Sequence, residues 1–342
     1  MSGERPAIPG MKQLASMTIR RDQVVVALIA VVALSAASFF VQGRDYQPPL
    51  WALQIELSGG SAYGPEMAER FRENYAEPFA SGGFAYPLPV MWLALPIVAL
   101  PDVAVGPVWL VLSVGSVLVG LLLLRMPLSL VFFLPLPLGA YLQQVTVLLT
   151  GLLLIGIWAW RTQRWWLLSG VVALTIGAKP QTTLVMAGAL ALLALRAGAW
   201  RPLLVCHLVV AALTFALEPA WVAEWLQAVE RYRTAIGLNW AVEWVPVAVV
   251  LLALRQFWGG LAVLQIGLFP TLFGYTLLPL LVGYAAPVSQ RGALLAVAGA
   301  WLSILVPVLG MRPAWLFLGI CYLGPLLLAG ARSSQERDTA SG

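Results

Sequence analysis

The 342-residue chain is 61% hydrophobic, 10% charged and carries a net charge of +5. Apolar runs near span length recur along it and strand alternation is absent, so it reads as all-α, a polytopic helical membrane protein rather than a globular domain or a β-barrel. Its basic residues lie singly at span ends, which gives no argument for nucleic acid; Cys206 and Cys321 both lie inside apolar runs, which argues against a zinc ligand set or a disulfide framework.

Taken in chain order, spans are predicted at 24–41, 86–101, 103–124, 127–142, 144–160, 165–178, 180–196, 202–217, 244–255, 259–273, 274–288, 292–310 and 313–331. That amounts to about 11–13 membrane segments, some short or re-entrant, forming one integral membrane domain over 23–331. Polar tails of 1–22 and 332–342 flank it. The run at 24–41 reads as a retained span, since no small-residue cleavage site follows the preceding charges. Lys12, Arg20 and Arg21 before that run predict a cytoplasmic N-terminus, and Arg332 a cytoplasmic C-terminus. Arg161 and Arg164, Arg196 and Arg201, Arg255 and Arg291 mark further cytoplasmic connections.

The segment 42–86 holds six acids against three bases, a net −3 that suits the outer face, and 218–243 joins it there. Counting crossings from this loop to Arg161 gives the wrong parity. One proline-rich run, 86–101 or 127–142, is therefore expected not to cross singly, and the sequence leaves open which. Met67, Phe71 and Tyr75 recur at four-residue spacing, as do Trp221, Trp225 and Val229; both segments read as interfacial helices with the apolar face in lipid.

Few residues carry chemistry. Asp45 follows the first span and reads either as a solvated loop carboxylate or as a general base for an acceptor hydroxyl at the outer face. Lys179, one of two lysines, sits between apolar runs in Gly-Ala-Lys-Pro-Gln-Thr-Thr at a predicted outward tip. It either snorkels to headgroups or clamps an anion together with the helix N-terminus that follows Pro180. Gln143, Gln144 and Thr146 interrupt an apolar stretch, to cap a broken helix or to bond sugar hydroxyls. Arg231, Arg233 and Arg312 are outer cations that, with Lys179, would surround a phosphate. His207 reads as packing or capping. No Walker loop, zinc spacing or nucleophile elbow is present, and no metal or cofactor is expected.

The order of Asp45, Gly60 with Tyr63, Phe84-Ala85-Tyr86-Pro87, Gln144, Lys179-Pro180-Gln181 and Arg196 to Arg201 resembles glycosyltransferase family 87 over residues 20–290. These are membrane mannosyltransferases of the GT-C superfamily with polyprenyl-phosphate sugar donors. The resemblance implies an inverting transfer to a lipid or glycan acceptor at the outer face of the cell membrane. Asp45 falls on the base and Lys179 near the donor phosphate; Tyr63, Tyr86, Gln143, Gln144 and Gln181 are taken as substrate-binding. Gln143-Gln144 and Tyr275-Thr276 depart from the Gly-Gln and Tyr-Asp that the family often shows. The alternatives are a lipid or solute transporter, a diverged lipid-binding protein, and a structural subunit of a larger complex.

Overall fold

The computed structural model describes residues 45–236, 241–269, 274–285, 288–305 and 319–328, with 29, 32 and 36 as single positions. The chain is all-helical there, with no strand among the described residues. Beyond those single positions, the expected first span lies outside the described residues, as do both tails and Arg312.

Two prolines open α1 (Gln47–Leu57), and Pro65 opens α2 (Pro65–Asn74), where a fixed φ and a missing N–H cost a helix nothing. A single turn, α3 (Phe79–Gly82), follows. The lipid-facing expectation for 65–77 is corrected here. Met67 and Phe71 are buried in protein. Phe71 meets Trp51 of α1 edge-on at 6.1 Å and stacks on Tyr75 at 5.0 Å. Helical periodicity marks an apolar face but does not say what covers it, and α1 lies nearer than lipid would.

The 86–101 run forms a short 3₁₀ helix, Leu88–Ala94, followed by turns. After it come α4 (Asp102–Leu123), a 3₁₀ turn Leu128–Phe132, α5 (Pro135–Tyr141) and α6 (Val145–Arg161). Helices α4 and α6 run parallel. Trp109 Nε1 donates to Gln143 O at their starts, and a Cβ on Gly120 would touch Leu154 further along. The chain between them must therefore return along the bundle. Phe133 packs on Tyr284, next to the Ala285 carbonyl that Arg161 reaches, while Gly139 lies against Val147 and Tyr275 at the other end. The 127–142 run is thus the traverse, made in two short helices. The 86–101 run begins and ends at the Asp45 end.

The helices α7 (Trp165–Ala178), α8 (Pro180–Arg196) and α9 (Trp200–Leu217) alternate direction, and α10 (Trp221–Ile236) crosses the Asp45 end. Its apolar stripe also turns inward: Trp225 Nε1 donates to Ala85 O at 3.2 Å, Ala228 is buried, and Tyr232 covers Gly82 of α3. Further on lie a 3₁₀ turn Val242–Trp244, α11 (Val245–Ala253), α12 (Phe257–Leu268), a 3₁₀ turn Gly274–Leu277, α13 (Leu280–Gly283), α14 (Gln290–Leu302) and α15 (Gly319–Leu328).

Two apolar cores result. One joins the inner faces of α4 to α8 with α11 to α15; the other joins α1, α2 and the 86–101 run to the first turns of α4 and α6. Close approach of α4 and α6 depends on Gly151, since a Cβ there would stand 2.6 Å from Val117 N.

Charge is divided between the ends. Arg125, Arg161, Arg164, Arg196, Arg201, Arg255 and Arg291 gather at one, while every acid among the described residues lies at the Asp45 end. Among the described residues, α4 and α9 are the helices long and apolar enough to cross a membrane. Helix α9 is the more telling, because 11% of its apolar window is buried and Leu204, Leu208 and Leu213 are about half exposed.

Candidate functional site

The site forms where the two cores meet, from the corner between α7 and α8. Pro180 disfavours a helical conformation for the residue before it, so Lys179 leaves the helix at φ −154°, ψ 74°. The two threonines that follow close the corner. Thr182 and Thr183 hydroxyls donate to Lys179 O at 3.1 and 3.0 Å, and Thr183 Oγ1 also donates to Thr175 O at 2.7 Å. Held this way, Lys179 is buried and its Nζ donates to Thr146 Oγ1 at 3.1 Å. The ammonium also lies 5.2 Å from the Tyr86 ring and 5.8 Å from the Tyr275 ring, a cation–π pairing on two aromatics.

Asp45 comes from the other side of the corner. Its N–H donates to Leu142 O at 3.2 Å, which fixes it against the loop that starts α6. Lys179 and Asp45 lie within electrostatic reach of one another yet form no ion pair; among the described residues the ion pairs are Arg70–Glu66 and Arg233–Glu230, both at the surface. Asp45 keeps partial accessibility although protein surrounds it, as a group lining a concavity does. Burial pushes its carboxyl well above the ordinary carboxylate range, and the positive Lys179 opposes that rise. Burial likewise pulls Lys179 down, and Asp45 opposes that fall.

The Gln143–Gln144 loop completes the wall. Gln143 takes φ +54°, a conformation that non-glycine residues rarely adopt, and its carbonyl accepts from Trp109 Nε1 at 3.0 Å. Its side chain is buried with neither amide atom bonded in the protein. Gln144 is the N-cap of α6; its side chain hydrogen-bonds Tyr275, while its Oε1 has no partner. Buried amide groups without partners cost on the order of 1–3 kcal/mol each, which a polar ligand would recover. Helices α6 and α8 both begin here and turn their positive ends toward the same space.

The other sequence-predicted residues divide. Tyr86 lines the site, and Tyr63 holds it from behind by donating Oη to Tyr86 O at 2.8 Å. Gln181 contributes its backbone, whose carbonyl accepts from Gln265 Nε2 at 3.0 Å. Arg231 and Arg233 are exposed on α10, and Arg233 is paired with Glu230. The residue between them, Tyr232, turns to Asp45 instead. His207 caps a carbonyl of its own helix, with Nδ1–H donating to Leu203 O at 2.7 Å. Glu56 is buried and accepts from Ala62 N at 2.8 Å; burial raises its carboxyl, Ala62 opposes the rise, and Glu218 and Glu224 add to it. Among the described residues no group of three metal-ligating side chains forms.

Sequence reasoning missed Thr146 as the anchor of Lys179, the tyrosines 75, 232 and 275 around Asp45, and Gln265. Gln265 is fully buried on α12. It accepts from Val185 N at 2.7 Å and donates to Gln181 O, the two groups that an undisturbed α8 would join to each other. A polar side chain inside an apolar helix was the one signal in the sequence that pointed to it.

Compared with family models, with curated proteins and with solved structures, the chain matches none.

Proposed function

We propose that the chain is a multi-pass glycosyltransferase of the cell membrane that moves a sugar, mannose favoured, from a polyprenyl phosphate to a hydroxyl of a lipid or glycan acceptor. Membrane placement is supported by the apolar exposure of α9, by the confinement of the described acids to one end while Arg125, Arg161, Arg164, Arg196, Arg201, Arg255 and Arg291 gather at the other, and by the length of α4, about 33 Å at 1.5 Å per residue. The arginine end then faces the cytoplasm, with both termini, and the Asp45 end faces outward.

The observation that carries the reading is that Asp45 and Lys179, residues far apart in sequence, come within electrostatic reach of one another without pairing. A carboxylate whose pKa is raised by burial suits a base that must take a proton from a hydroxyl. The acceptor oxygen, giving its proton to Asp45, attacks C1 of the sugar. The bond from C1 to the phosphate oxygen breaks, configuration at C1 inverts, and polyprenyl phosphate leaves with its new charge near Lys179 and the starts of α6 and α8. Gln143 and Gln144 offer the amide donors and acceptors that sugar hydroxyls require. Tyr75, Tyr86, Tyr232 and Tyr275 all lie within electrostatic reach of Asp45.

Protein reconstituted in lipid nanodiscs, given radiolabelled polyprenyl-phosphate mannose and a crude lipid-extract acceptor, tests this. Wild type releases polyprenyl phosphate, and Asp45→Asn lowers the rate by about 10²- to 10⁴-fold. Donor binding without release by either protein would favour a lipid-binding protein without catalysis.

A further inference from the structure

At the arginine end, the α6–α7 connection, the first turn of α7 and the start of α9 form a groove of about 450 Å³ lined by Gln163, Arg164, Trp165, Trp166, Leu167 and Pro202. Gln163 turns the chain there through φ +57°. Arg164 lines the groove, and Arg201 is adjacent in sequence to the lining residue Pro202. The Arg164 guanidinium is held 4.6 Å from the Trp158 ring, and Arg201, next to Pro202, lies 5.3 Å from the Trp200 ring. Stacked guanidiniums keep their N–H edges free for an anion. Among the described residues no carboxylate lies at this end, and neither cation forms an ion pair there.

The start of α7 adds to it. The helix has no side-chain cap, and the N–H groups of Trp166 and Leu167, both lining the groove, make no hydrogen bond among the described residues. Arg161, by contrast, is committed to the Ala285 carbonyl at 2.9 Å. Below the groove α9 exposes Leu204, Val205, Leu208 and Val209, and Trp166 beside it is 61% exposed. An anion cradle opening onto an apolar wall matches a molecule with a phosphate head and hydrocarbon tails, whereas a soluble phosphate makes no use of the wall.

We propose that this groove binds the phosphodiester headgroup of an anionic phospholipid, with its acyl chains along α9. The proposal rests on the membrane placement above but not on sugar transfer.

Full-length protein in neutral detergent is titrated with phosphatidylglycerol, phosphatidylcholine or inorganic phosphate, and thermal unfolding is followed. Phosphatidylglycerol is expected to raise the midpoint well beyond phosphatidylcholine. The double variant Arg164→Gln/Arg201→Gln is expected to weaken that binding about ten- to thirtyfold, given roughly 1 kcal/mol for each basic residue at an anionic surface. The exposed Arg72→Gln, at the opposite end, serves as control and keeps the wild-type response. Equal response to both lipids, an unchanged double variant, or an equal shift with inorganic phosphate would each overturn the proposal. Recovery of the protein outside the membrane fraction would overturn the placement itself, independently of any assay of transfer.

Discussion

Lys179 donates to Thr146 Oγ1 at 3.1 Å and forms no ion pair with Asp45, the carboxylate whose field it feels. A direct pair would satisfy both charges and leave nothing for a substrate. Thr146 instead takes a hydrogen bond from the ammonium, so the two charges face one another unpaired.

This relationship predicts the behaviour of two variants. Lys179→Met should lower transfer by about 10²- to 10³-fold, the usual cost of losing one preorganised charge stabiliser. Thr146→Val keeps the cation but frees its position, and a loss of about tenfold is expected. Steady-state transfer by reconstituted protein measures both; full turnover by Lys179→Met would remove the lysine from the mechanism.

The pH profile should be narrower than these groups would give in water. Asp45 must be ionised to accept a proton, so the rate rises with pH through a pKa lifted above 3.8. Lys179 must stay protonated, so the rate falls through a pKa pulled below 10.5. Lys179→Arg should push the alkaline limb upward, because a guanidinium stays charged. The logarithm of kcat/KM against pH for both proteins provides the check, and an alkaline limb unmoved in the arginine variant would assign it to another group.

Gln265→Leu should spare the fold and damage the site. Once the amide is gone, Gln181 O and Val185 N can close the ordinary helical bond, which tightens the first turn of α8 beside Lys179. Displacement of a catalytic group by about 1 Å costs on the order of 100-fold. Transfer and thermal midpoint are measured together; a drop in midpoint with unchanged specific activity would make Gln265 a packing residue only.

Gly151→Ala should destabilise the bundle by about 1–3 kcal/mol, since its Cβ would stand 2.6 Å from Val117 N and backbone cannot step aside as a side chain can. Gly115→Ala on α4 meets nothing within 4 Å and is the matched control. Chemical or thermal unfolding in detergent distinguishes them.

Much of this architecture was legible in the residues. The bounds read for 165–178 and 180–196 coincide with α7 and α8, because Pro180 ends one helix and starts the next by local sterics. Asp45 and Lys179 stood out because few charges interrupt the apolar runs. Which groups would surround them was not legible. Tyr232 and Tyr275 look like ordinary aromatics until α10 and the 274–277 turn are folded against Asp45.

The sequence by itself determined what is local: where helices start and stop, which faces are apolar, and how arginines and acids divide along the chain. Tertiary structure decided what depends on long-range neighbours. It set which proline-rich run traverses the bundle, what covers the apolar faces of α2 and α10, and that Gln265 enters α8 across 80 residues of sequence. The physical reason is reach. Propensity, capping and proline sterics act within a turn or two of helix, whereas burial and polar pairing are settled by whichever distant segment packs against a residue.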